Sequence, residues 1–172
     1  MGAPRVGLFL DRDGVLNVNT HYPHLVEDLY LAPGVIEAFR LLKNHPDIVP
    51  VVVTNQAGVG RGYYAEFDVV IFEAVLAKRI YDQAGYELPS NRWFHCWSDD
   101  NSHPWRKPNP SMILEAAKQF NLDLRRSAMI GDKPSDYEAA VAAGIRHRFI
   151  IKPAERLDKI LASWLSNFKM EC

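Results

Sequence analysis

Leu8-Phe9-Leu10-Asp11-Arg12-Asp13-Gly14-Val15-Leu16-Asn17 is the stretch that decides how this 172-residue chain reads. Val6, Leu8, Phe9 and Leu10 form a short apolar run, as expected of a central parallel strand covered on both faces. Asp11 then falls at the carboxyl end of that strand, where open α/β sheets place their ligands. Asp13 follows two residues later, and Gly14 lets the chain turn away without a Cβ clash. Two carboxylates this close repel unless a cation lies between them or one takes a proton. Taken alone, Asp-Arg-Asp-Gly is equally a polar turn, since Asp and Gly are common turn residues. Three further segments decide between the two readings.

The rest of the chain repeats the pattern. Ile48-Val49-Pro50-Val51-Val52-Val53 reads as a second buried strand ending at Thr54-Asn55-Gln56. Trp93-Phe94-His95-Cys96-Trp97 reads as a third, followed by a loop from Ser98 to Pro108 that carries Arg106 and Lys107. Ser127-Ala128-Met129-Ile130 is a fourth, running into Gly131-Asp132-Lys133-Pro134-Ser135-Asp136, and Arg148-Phe149-Ile150-Ile151 is a fifth. Helical patterns separate them. One opens at Pro33-Gly34. A long one spans about 66 to 84, with Phe67, Val70, Ile71, Val75, Leu76 and Ile80 expected on its inner side and Gly85 as its C-cap. Others start at Pro110, with Met112, Ile113, Ala116, Ala117 and Phe120 inward, and after Ser135, the expected N-cap, carrying Tyr137, Ala140, Val141 and Ala143. The last is an amphipathic helix over about 154 to 168. Strand and helix alternate throughout, which predicts one α/β domain over residues 1–172, a Rossmann-like parallel sheet with helices on both faces. The long connection from Asn17 to Tyr30 suggests a short hairpin flap. Gly58, Gly60 and Gly62 fit no P-loop spacing and read as a flexible loop.

Composition narrows the function classes. Apolar content of 48%, charged content of 24% and a formal net charge of −1 are those of a soluble globular protein with no global attraction to nucleic acid or anionic membranes. No apolar run is long enough to span a bilayer. No signal-peptide pattern stands at the N-terminus, and Met1-Gly2 lacks the Ser or Thr that myristoylation requires at position 6, which is Val6. Two cysteines, Cys96 and Cys172, make no disulfide framework and point to a reducing cytoplasm.

Loops after parallel strands emerge on one edge of the sheet. Asp11, Asp13, Thr54, Asn55, Lys107, Asp132 and Asp136 should therefore converge. Asp11, Asp13 and Asp132 offer hard oxygen ligands of the kind Mg²⁺ takes alongside water and phosphate oxygens. Thr54 and Asn55 offer neutral donors, and Lys107 a fixed positive charge. That set suits phosphoryl transfer, where catalysis is mostly positioning and charge neutralisation.

These segments resemble the four motifs of the haloacid dehalogenase-like (HAD) phosphohydrolases: Asp11-Arg12-Asp13-Gly14-Val15, Thr54-Asn55, Lys107, and Gly131-Asp132-Lys133-Pro134-Ser135-Asp136. The resemblance covers nearly the whole chain. It implies that Asp11 is the nucleophile of an aspartyl-phosphate intermediate. Asp13 would protonate the leaving oxygen and then activate water. Thr54 and Lys107 would hold the phosphoryl group. Mg²⁺ would be bound by Asp11, the Asp13 backbone carbonyl and Asp132, with Asp136 supporting directly behind them or through water. The intervals between motifs are filled by the elements already read, so the resemblance is to the branch without a large cap domain.

Within that branch, Asn55-Gln56-Ala57-Gly58-Val59-Gly60-Arg61-Gly62-Tyr63-Tyr64 and Arg106-Lys107-Pro108-Asn109-Pro110 resemble the heptose-bisphosphate and histidinol-phosphate phosphatases. That resemblance makes Arg61, Arg106 and Lys133 candidate substrate contacts. Those families usually carry a zinc loop with paired Cys-x-His and Cys-x-Cys ligands before Arg-Lys-Pro. Here only Cys96, His95 and His103 stand in a shortened loop, too few for a closed tetrahedral site, so structural zinc is expected to be absent. The expected substrate is a small phosphorylated metabolite, foremost a heptose 1,7-bisphosphate destined for surface polysaccharide. Histidinol phosphate, a 3′-phosphorylated polynucleotide and a non-catalytic phospho-ligand module are the alternatives. No nucleic-acid or membrane partner is expected, and the protein would be a monomer or small homo-oligomer.

Overall fold

The computed structural model describes residues 4–168; Met1-Gly2 and Cys172 lie outside the described residues. Five strands, β1 (Val6–Leu10), β2 (Ile48–Asn55), β3 (Trp93–Cys96), β4 (Ala128–Gly131) and β5 (His147–Ile150), form one sheet in the order β3-β2-β1-β4-β5. Every neighbouring pair is parallel, with Leu10 opposite both Val52 and Ile130. β1 lies at the centre and is buried at all five residues, which explains its unbroken apolar sequence.

Six helices connect and cover the strands: α1 (Val35–Leu42), α2 (Ala57–Gly60), α3 (Glu66–Ala84), α4 (Ser111–Phe120), α5 (Pro134–Ala142) and α6 (Leu157–Phe168). Successive residues of β1 feed opposite cores. Leu8 and Leu10 pack with Phe39 of α1, Leu76 of α3 and Trp164 of α6. Phe9 packs on the other face with Met112 and Ile113 of α4 and Ala139 and Ala140 of α5. Thus α1, α3 and α6 cover one face and α4 and α5 the other. No described helix is long and apolar enough to cross a membrane.

The α/β class, the strands and the helix sequence agree with the sequence reading. Four details do not. Phe67, Val70 and Ile71 of α3 are 70%, 51% and 40% exposed; the buried stripe is instead Val69, Phe72, Glu73, Leu76 and Ile80. A charged residue in the stripe displaced the apparent apolar face by a fraction of a turn. Lys133, not Ser135, is the N-cap residue of α5, because Pro134 opens the helix and the Asp136 carboxylate turns back on the Lys133 N–H. The glycine-rich stretch after Gln56 forms the single helical turn α2 rather than a flexible loop. The flap after β1 closes through one antiparallel bridge, Asn17 to Leu31, and a 3₁₀ turn at Val26–Asp28, not a hairpin ladder.

Candidate active site

The strand order reverses between β1 and β4, so a crevice opens at their carboxyl ends. Asp11 leaves β1 there, and Asp132 follows β4. Close packing of small residues brings their carboxylates together. At Gly14, with φ +91°, a Cβ would lie 2.4 Å from Asp132 Oδ2, and at Gly131 it would lie 2.2 Å from the Asp136 Cβ. One oxygen each from Asp11, Asp132 and Asp136 fall within 4.8 Å of one another, and this is the one potential metal-holding group among the described residues.

Lys107 reaches into this cluster from the loop after β3. Its buried ammonium donates to Asp11 Oδ1 at 2.9 Å, Asp136 Oδ1 at 2.6 Å and the Val53 carbonyl at 2.7 Å. Burial alone would lower the Lys107 pKa, but Asp11 and Asp136 outweigh it and hold the ammonium above the usual lysine range. Asp136 is saturated, since its Oδ2 accepts the N–H groups of Asp132 and Lys133 at 3.1 and 3.0 Å. Asp132 is not. Its Oδ1 is buried and accepts no hydrogen bond, and the half-exposed Lys133 ammonium stands 3.8 Å away. Burial, and then the Asp11 carboxylate, push the Asp132 pKa up to about 7. A hard divalent cation would relieve both effects, so the residues present fit Mg²⁺.

Asp13 faces the same crevice, held by four donors. Arg12 Nε and Asn17 Nδ2 donate to Oδ1 at 2.9 and 3.0 Å; Arg12 Nη2 and Gln56 Nε2 donate to Oδ2 at 3.0 and 3.1 Å. Thr54 is buried and accepts from Gln56 Nε2 at 2.9 Å, leaving its hydroxyl proton free to donate. Asn55 grips the Lys107 backbone at both amide ends, 2.9 Å to the carbonyl and 3.0 Å from the N–H. It therefore fixes the loop that delivers Lys107.

The crevice continues into a cleft of about 700 Å³ whose wall includes Asp13, Asn55, Arg61, Arg106, Lys107 and Lys133. Arg61 bonds the Tyr22 hydroxyl and meets Asp99 at 3.3 Å. Arg106 donates to the Ser98 carbonyl at 3.0 Å and to Asn101 at 3.1 Å, bracing the loop it sits on. All the residues singled out from the sequence thus gather at one sheet edge. Arg12, Asn17 and Gln56 also belong to the site, as the donors that hold Asp13. A signal in the sequence exists only for Arg12, which stands between the two acids. At the end of β3, His95 Nε2 bonds Glu73 at 2.8 Å, and Cys96 Sγ lies 3.6 Å from Nδ1 of His103 in the loop that follows.

A doubly covered parallel sheet with paired acids, a buried lysine and a third acid at its switch point is the architecture of a HAD-like phosphohydrolase. Residues 104–151 match the HAD-hydrolase-like family model. The chain is 34% identical over 146 residues to a D-glycero-beta-D-manno-heptose-1,7-bisphosphate 7-phosphatase of Helicobacter pylori, covering 84% of this chain and 82% of that one. It is 33% identical over 175 residues to the protein of the same name from Escherichia coli, covering 93% and 87%. A solved structure described as a HAD-like phosphatase from Mesorhizobium loti superposes with TM-score 0.83 at 30% identity, covering 99% of this chain and 88% of that one. The fold is shared at TM-score 0.81 with a D,D-heptose 1,7-bisphosphate phosphatase from B. bronchiseptica, solved with magnesium and phosphate, which is 23% identical. The chain belongs to the HAD-like phosphatase family that these relatives represent, and it is a phosphatase.

Proposed function

We propose that this phosphatase is Mg²⁺-dependent, works through an aspartyl-phosphate on Asp11, and removes the 7-phosphate from a heptose 1,7-bisphosphate. The observation that carries the chemistry is the unsaturated carboxylate pair Asp11 and Asp132 beside the saturated Lys107–Asp136 pair. Asp11, Asp132 and the Asp13 backbone carbonyl would hold the ion, which would neutralise phosphoryl charge. Asp11 attacks phosphorus, forming an O–P bond as the bond to the sugar oxygen breaks. Asp13 gives its proton to that leaving oxygen, and then takes one from the water that hydrolyses the acyl phosphate. Lys107 keeps the Asp11 carboxylate in place, and the Thr54 hydroxyl donates to a phosphoryl oxygen.

The substrate assignment rests on the named relatives, matched over more than four-fifths of this chain, and on charge. Arg61, Arg106 and Lys133 line the cleft beyond Lys107, more cations than one transferring phosphoryl group requires. A sugar with a second phosphate would use them. The same reading puts the enzyme in the cytoplasm, acting without structural zinc, so dialysed protein should retain no stoichiometric zinc. The deciding experiment is phosphate release with Mg²⁺ from both heptose 1,7-bisphosphate anomers, histidinol phosphate, fructose 1,6-bisphosphate and a 3′-phosphorylated oligonucleotide. One heptose anomer should exceed every other substrate at least tenfold in kcat/KM, leaving a heptose 1-phosphate by ³¹P NMR. Equal or faster turnover of histidinol phosphate would overturn the heptose assignment.

A further inference from the structure

Glu73 is a buried carboxylate that the proposed chemistry leaves unused. It lies in the middle of α3 on the stripe that otherwise carries Val69, Phe72, Leu76 and Ile80, and is 5% exposed. A carboxylate there costs several kcal/mol in desolvation, and an apolar residue would fill the same stripe without that penalty. Both of its oxygens are used. Oε1 accepts from Arg12 Nη1 at 3.4 Å, and Oε2 accepts from His95 Nε2 at 2.8 Å. A carboxylate only accepts, so His95 carries its proton on Nε2. The His95 ring is itself fixed, stacked on Trp97 at 4.4 Å and 8° between planes. Arg12 is fully buried, lies 4.8 Å over the Phe72 ring, and spends Nε and Nη2 on the two oxygens of Asp13.

We propose that Glu73 is a positioning residue for the acid–base step, with His95 fixing Glu73, Glu73 fixing the Arg12 guanidinium, and Arg12 fixing the Asp13 carboxylate. The guanidinium is planar and rigid, so anchoring it at both ends leaves Asp13 one orientation. A carboxylate held on two sides by the same plane transfers protons along a defined line, which is the requirement for general catalysis. The chain of contacts runs from β3 through α3 to the loop after β1, and none of Glu73, His95 or Arg12 needs to touch substrate.

The inference rests on the reading of Asp13 as acid and base, and leaving-group dependence separates the two. An alkoxide leaving group requires the proton from Asp13; p-nitrophenolate leaves without one. The experiment is the pre-steady-state burst with Mg²⁺, measured on p-nitrophenyl phosphate and on whichever alkyl phosphate of the panel above the wild type turns over fastest. Glu73→Gln should slow the alkyl burst about tenfold, part of the roughly hundredfold or more that general acid catalysis supplies, and leave the p-nitrophenolate burst within about threefold. His95→Phe, which keeps a ring over Trp97 but removes the hydrogen bond to Glu73, should show the same discrimination, and it carries the comparison if Glu73→Gln does not fold. Equal slowing of both substrates, or of neither, by a folded variant would overturn the positioning role. Asp13→Asn is the reference: if it too fails to discriminate, the acid–base reading falls, and the role of Glu73 with it.

Discussion

Two buried charge clusters sit a few residues apart and are built on opposite plans. Around Asp13 the carboxylates are complete: each oxygen of Asp13 and of Glu73 has an N–H donor, from Arg12, Asn17, Gln56 or His95. Around Asp11 the cluster is incomplete. Three carboxylates face one buried ammonium, with the half-exposed Lys133 ammonium 3.8 Å from Asp132, and the Asp132 Oδ1 accepts no hydrogen bond. Against the buried Lys107 alone, the three carboxylates leave two formal negative charges over, the charge of one divalent cation. The contrast separates the part of the site that is scaffold from the part that binds a ligand. A saturated network resists change and fixes geometry, whereas an unsaturated one binds.

Substituting the nucleophile should give the largest effect. Asp11→Asn keeps the shape of the side chain but removes its charge and nucleophilicity, so turnover should fall at least about a thousandfold while the fold persists. Phosphate release and circular dichroism on the same sample test this, and near-wild-type release would remove Asp11 from its role. Next is the saturated network, which should fail by unfolding rather than by losing a ligand. Arg12→Ala would leave the buried Glu73 and the partly buried Asp13 without their shared cation, at a cost of about 3–5 kcal/mol. Urea denaturation reads that directly; a loss below about 1 kcal/mol would mean that water reaches the network and that it is no scaffold.

The unsaturated cluster should behave in the reverse sense. The Asp132 pKa is pushed up to about 7, so between pH 4 and 7 the folded protein holds a proton that the unfolded chain releases. Metal-free protein should therefore lose stability as pH rises through that window. Asp132→Asn should flatten the pH dependence and raise the metal-free Tm at pH 7.5 by about 2–4 °C, while abolishing the Tm increase that Mg²⁺ gives the wild type. Differential scanning calorimetry with and without Mg²⁺ tests both. A metal-free Asp132→Asn protein that melts lower than wild type would show the cluster to be as complete as its neighbour.

The contrast between the clusters also marks what could be read from the sequence. Every strand and its terminal motif were legible, because parallel strands need unbroken apolar runs and their polar residues can only fall at the ends. The site inherited that legibility: Asp11, Thr54 and Asp132 each stand just past or within one such run, and Lys107 stands in the loop that follows another. The saturated network was not legible. Nothing in the sequence marks Glu73 as a core residue, and the apolar pattern points Phe67, Val70 and Ile71 inward, where the structure exposes them. Its partners are 61 and 22 residues away, a pairing that no local pattern encodes. Ser135 is not the N-cap for a local reason: Pro134, immediately before it, opens the helix and makes Lys133 the N-cap.

The smallest expected effect lies at the rim, where neither plan applies. Arg61 is 40% exposed, pairs with the 45% exposed Asp99, and lies 5.9 Å from the Tyr22 ring centroid. Exposed pairs of this kind add little to stability, so Arg61→Ala should leave Tm within about 2 °C of wild type. Its side chain nonetheless faces the cleft, and a second phosphate on the substrate would meet it in the ground state and the transition state alike. Uniform binding of that kind appears in KM and not in kcat. Arg61→Ala should therefore raise KM for the sugar bisphosphate about threefold to tenfold at nearly constant kcat, and leave the KM for p-nitrophenyl phosphate, which has no second phosphate, close to wild type. A fall in kcat with KM unchanged would place Arg61 at the reacting phosphoryl group instead, and the second phosphate would then have to be sought at Arg106 and Lys133, which line the same cleft.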